Sequence, residues 1–293
     1  MTDGNSHNSP SDGDWDRLLE RLGEASSLTD QGRWDEAFAL LLQEESEFPE
    51  DPTLLCMLGV AASETSAVGA AYDFFRRCLA QQPEDPTLLA TAGAGIAAGG
   101  DPDAERVLRL AAVTAPHLPI TRARYGAYLA REGMLTAAID ELEAARRLDP
   151  EDVSIRIELA TAYLLSDRAE EGQAELSEVL SLTPDDIWSR VLYGLALLEA
   201  GSTEEGAEQL HAASLERPLD WELHAAAAMA AAAEGWTDEA WNAVARAELA
   251  PGVDPDLIHE LEEYVEAGAE AAYEFLHGEL VAPMLRARLL GAV

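Results

Sequence analysis

Three arginines, Arg122, Arg156 and Arg190, stand 34 residues apart, and His224 follows at the same step. A row of such cations does one of two things. Each pairs with carboxylates of an adjacent element, or together they grip an acidic partner. Bidentate pairing of a guanidinium with a carboxylate suits both. The other reactive side chains form no such pattern. His7, His117, His211, His259 and His277 are scattered, and no HExxH motif occurs. Cys56 and Cys78 form no CxxC and no Cys/His pair, so a zinc site is not indicated. Phosphate-binding and nucleophile-elbow motifs are missing as well. Carboxylates are so frequent that a close pair of them carries no information. The reading is of a non-enzyme, with no catalytic residue, no cofactor and no metal.

The 34-residue step points to the elements that must carry these side chains. A proline ladder runs through Pro49, Pro83, Pro116, Pro150, Pro184, Pro218 and Pro251, in steps of 33 or 34 residues. Leu142, Leu176 and Leu210 share the register, as do Gly126, Ala160, Gly194 and Ala228. A period of this size marks a helical repeat array. The stretch from Pro119 to Pro150 is the most regular unit. Tyr125, Leu129 and Ala130 fall on one helical stripe, and Ile139, Leu142 and Ala145 on a second. Gly133 suits the turn between the two helices, and Pro150 closes the hairpin. One such hairpin cannot bury its stripe alone, so neighbours must stack on it.

In that unit Gly126, Ala138, Leu142, Ala145 and Pro150 resemble the small, alanine, apolar, alanine and proline signature of the tetratricopeptide repeat. Gly59, Ala71, Phe75, Cys78 and Pro83 fill the same places in the second unit. The resemblance runs from about Trp15 to Pro251 and implies an all-α, right-handed superhelical solenoid. About seven helix-turn-helix repeats (residues 14–251) follow a polar, disordered N-terminus (1–13) and precede a helical cap (252–293). It also implies which side chains line a concave face. These are Cys56, Val60, Ala90, Ala94, Ala123, Ala127, Ile157, Thr161, Trp188, Val191, Leu195, Ala225 and Met229. The line is small and apolar, and suits an amphipathic helix or an apolar extended peptide. Trp188 is either its anchor or part of inter-repeat packing. The family's basic clamp for a terminal carboxylate is not expected, because all 19 basic residues are arginine and no lysine occurs.

Two units depart from the pattern. The third is rich in glycine in its first helix and reads as soft, a hinge in the array. The first helix of the seventh, WELHAAAAMAAAA, is nearly all alanine and permits close approach by something else. At the end, PMLRARLLGAV places Arg286 and Arg288 among apolar residues of a very acidic chain. It either caps the array, folds back into an acidic surface, or is recognised by a partner.

The formal net charge is −37. Such a surface keeps the chain soluble and steers basic partners toward it. Nucleic acid is disfavoured, since binding it requires basic side chains on phosphates. No apolar run reaches the roughly 18 residues of a membrane span, and no signal peptide is evident. A cytoplasmic location is the default expectation. The function read from the sequence is a protein–protein interaction scaffold whose concave face takes a peptide or helix, basic or amphipathic. The alternatives are a chaperone-like holdase for a basic or apolar client, and a structural subunit that self-associates.

Overall fold

The computed structural model describes residues 11–289, which form seventeen α-helices, one π-helical segment and no strand. They divide into two compact units, one ending at Tyr128 and the other starting at Leu129. The division falls inside a helix. The expected disordered N-terminus lies mostly outside the described residues, and the first helix starts at Asp12.

The first unit contains α1 (Asp12–Asp30), α2 (Trp34–Leu42), α3 (Pro52–Glu64), α4 (Val68–Ala80), α5 (Pro86–Ala98), α6 (Ala104–Thr114) and most of α7 (Pro119–Arg131). Helices α1/α2, α3/α4 and α5/α6 pack as hairpins, and each hairpin stacks on the next. Leu41, Leu54, Leu58, Phe75 and Ile96 are buried in its core.

The second unit holds α8 (Leu135–Leu148), α9 (Val153–Leu165), α10 (Ala169–Leu182), α11 (Ile187–Glu199), α12 (Thr203–Glu216), α13 (Trp221–Ala233) and α14 (Thr237–Leu249). Here α9/α10, α11/α12 and α13/α14 are the hairpins. Leu176, Leu192, Leu210, Leu223 and Met229 are buried in the core of this unit.

Two local devices set the repeat. Most first helices open on an aspartate. The side chains of Asp51, Asp152 and Asp220 accept from the backbone N–H three residues on, at 2.7–3.1 Å. Asp85 and Asp254 accept from the N–H two residues on, at 2.8 and 3.0 Å. This satisfies donors that a helix start leaves free and places negative charge at the positive end of the helix dipole. Part of the chain's acidity is thereby structural. The second device is the turn inside each hairpin. A residue of positive φ sits at Gly32, Ser66, Gly100, Gly133, Asp167, Gly201 and Gly235, again in steps of 33 or 34.

The glycines of α5 have a packing reason. A Cβ on Gly95 would lie 2.1 Å from the Phe75 ring, and one on Gly93 would lie 3.0 Å from Leu108. Phe75 also presses on Gly59, so one ring is seated against α3 and α5 together. The composition that reads as softness is what lets these helices approach.

Past α14 the helices continue. Helix α15 (Pro255–Ala267) packs on α13 and α14, as the first helix of a further repeat would. Then α16 (Ala269–Phe275) returns to α13, and the π segment Leu276–Leu280 also touches it. Helix α17 (Val281–Leu289) lies on α11 and reaches α9.

Candidate interaction surface

The residues expected on a concave face fall into two groups. In the first unit Val60, Ala94 and Ala123 are half-buried on α3, α5 and α7. Cys56, Ala90 and Ala127 are buried. Cys56 and Cys78 are both free thiols. Contact with Cys78, then burial, pushes the Cys56 thiol up, which leaves it a neutral core group. In the second unit Ile157, Thr161 and Trp188 are half-buried. Trp188 packs against the core.

Val191, Leu195, Ala225 and Met229 are fully buried. The cause is the C-terminal helices. Contacts of α15, α16 and the π segment with α13, and of α17 with α11, cover the face these side chains present. Helix α13 is buried continuously from Leu223 to Ala232. A helix that is apolar all round is buried all round. That signal is present in WELHAAAAMAAAA. The occupant is not identifiable there, because nothing local in residues 269–289 names α13 as its neighbour.

Charge fixes the seat of α17. Arg288 is 2% exposed. Its Nη2 donates to both oxygens of Asp220 at 3.2 Å and lies 3.7 Å from Glu222. Asp220 also caps α13 through the Leu223 N–H at 3.0 Å. The Nε of Arg288 is buried without a partner. Two clefts flank the helix. One, of about 520 Å³, lies between Leu164, Leu165, Asp167 and Glu199 on one side and Pro283, Leu285, Arg286 and Leu289 on the other. A second, of about 260 Å³, is lined by Trp221, Leu257, Leu261, Leu280 and Met284. The seat is therefore acidic at Asp167, Glu199, Asp220 and Glu222, apolar between, and only partly filled.

The row of cations has a different geometry. Arg122 Nε donates to the Pro116 carbonyl at 2.7 Å, Arg156 Nε to Pro150 at 2.9 Å, and Arg190 Nη2 to Pro184 at 2.5 Å. His224 Nε2 approaches the Pro218 carbonyl at 3.3 Å. Each ties the same carbonyl, six residues back, at the turn between repeats. This serves the acceptors that a helix end leaves unpaired. Arg156 also donates to Glu175 at 2.6 Å, where Arg146 joins it. At the equivalent place Arg190 meets Gln209 at 3.2 Å. His224 is buried, and its Nδ1 has no partner. Burial holds its pKa below the usual imidazole value.

Among the described residues no group of three or more His, Cys, Asp or Glu is arranged to hold a metal ion. No helix there is long and apolar enough to cross a membrane.

A family profile described as Tetratricopeptide repeat matches residues 129–192. The hairpin stacking, the turn register and that match agree. Residues 129–192 thus match the tetratricopeptide repeat, and the stacked hairpins have the fold of such an array. Solved relatives share the fold. A thermophilic tetratricopeptide repeat protein of Thermus thermophilus aligns at 26% identity, over 62% of this chain and 99% of that one, with a TM-score of 0.53. The C-terminal part of a repeat protein from Cytophaga hutchinsonii aligns at 16% identity, over 81% and 98% of the two chains, with a TM-score of 0.53. The Cut9–Hcn1 hetero-tetramer of the APC/C aligns at 14% identity, over 82% of this chain and 48% of that one, with a TM-score of 0.66. No curated protein matches the sequence significantly. A tetratricopeptide repeat array is a scaffold for protein–protein interaction.

Proposed function

We propose that the partner of this repeat array is a peptide or amphipathic helix held on the face made by the first helices of the hairpins. The observation that carries the reading is α17 itself. An amphipathic helix already lies on α11 and α9, against side chains of the expected binding line. In the first unit Val60 and Ala94, and in the second Ile157 and Thr161, are half-buried and keep that unit's part of the expected residues accessible. Small side chains let a backbone approach closely, and half-buried apolar ones supply contact area.

The test is photo-crosslinking with site-specific probes. A probe replacing Val60 or Ile157 reports on first helices, and one replacing Val113, exposed on second helix α6, is the control. Partners retained by the full chain are expected to attach at Val60 or Ile157 and not at Val113. Adducts confined to Val113 would reject the reading. Repeating the capture in ~0.5 M salt separates apolar contact, which persists, from attraction by charge, which is screened.

A further inference from the structure

We propose that the face of α9, α11 and α13 takes, in trans, a basic amphipathic helix that carries an arginine among apolar side chains, and that α17 holds this seat in cis until such a helix displaces it. The inference rests on the reading that partners bind the first helices.

The chemistry of α17 is the first argument. A cap needs apolar cover, and Val281, Met284 and Leu285 provide it. Arg288 adds little to that task. A buried ion pair is seldom better for stability than an apolar filler of the same volume, but it selects register and partner. Arg288 enters a seat built for a cation, with Asp220 and Glu222 both within reach. Helix α17 contains two arginines and no acid, in a chain of net charge −37.

The fit is the second argument. Clefts of about 520 and 260 Å³ border α17, so its seat has room for bulkier side chains than its own. The connection is the third. Helix α17 follows five residues of π-helix, a geometry that interrupts α-helical bonding and recurs at functional sites. Charge also chooses between occupants. Two copies of a chain at −37 repel each other, whereas a basic helix is drawn to the acidic seat.

The probe is a fluorescein-labelled peptide of residues 276–289, titrated into the full chain by anisotropy. The wild-type chain is expected to bind it weakly, because the tethered segment competes. Arg288→Ala in the chain leaves Asp220 and Glu222 in place and weakens only the competitor. The peptide should then bind at least about tenfold more tightly. The gain should vanish when the peptide itself carries R288A. Leu285→Ala in the chain is the second route to release, with circular dichroism verifying the fold of both variants. Unchanged affinity in both variants overturns the proposal. So does loss of the helical signal in both, which would make α17 a permanent part of the fold. Dimers formed by exchange of α17, seen by sedimentation, with the peptide excluded, overturn it as well. If the peptide fails while partners still attach at Ile157, the inner-face reading stands and only this inference falls.

Discussion

His224 shows how one position can keep a geometry and change a property. Arginine at this place ties a proline carbonyl through its guanidinium. Histidine ties the same carbonyl but is buried, with Arg246 and Asp220 as its charged neighbours. His277, in the π segment, is likewise held below the usual value by burial. For both, the unfolded chain binds the proton more readily than the folded one. Stability is therefore full above the unfolded value of about 6.5 and declines as pH falls through it. The melting temperature is expected to drop between pH 7.5 and 5.5, and a chain with His224→Gln and His277→Gln to drop less. Equal drops in both chains would assign the pH response to carboxylates. The row of cations is legible in the sequence as a spacing. The acceptor six residues back is each time a proline of the ladder, but that its backbone carbonyl is the common partner is not legible, because residue types do not say which backbone acceptor a side chain uses.

Among the helices, the hairpins follow from local chemistry. Asp51 with Pro52 and Asp85 with Pro86 start helices, Gly100 and Gly201 end turns, and the period places each on the next. Phe75 shows what period alone leaves open. It fills an expected apolar place, but its ring needs two glycines, one on each flanking first helix. Gly95→Ala is expected to destabilise the chain by about 1–3 kcal/mol, the usual cost of overpacking. Phe75→Leu in the same chain should recover part of that loss, since a smaller side chain leaves room for the methyl. Chemical denaturation of the single and double variants measures the coupling. A neutral Gly95→Ala would mean that α5 tolerates displacement, as its composition suggests.

Across the chain as a whole the dominant quantity is charge. There are 56 acidic and 19 basic residues. Many arginines are committed to pins such as Arg17 with Glu44, Arg77 with Glu45 and Arg156 with Glu175. The surplus of carboxylates repels itself. Raising salt from ~0.05 to ~0.5 M is expected to raise the melting temperature, because the Debye length shrinks to a few ångströms and repulsion over the surface is screened. A fall would mean that attractive pairs outweigh the surplus. Calorimetry at a series of salt concentrations decides.

The period, the hairpin, the turn register and the class of scaffold can all be read from the order of residues. They rest on contacts within one repeat or between neighbours, and such contacts recur in the letters. The letters also mark α13 as a helix without a polar side, and PMLRARL as a basic piece in an acidic chain. It takes the folded chain to join the two. Arg288 reaches Asp220 across 68 residues, two repeat steps, but the hairpin pattern has ended by α17, and the spacing alone does not bring the two side chains together. A single long-range contact is set by shape, by the acids available at the start of α13, and by the apolar surface that α11 and α13 must cover.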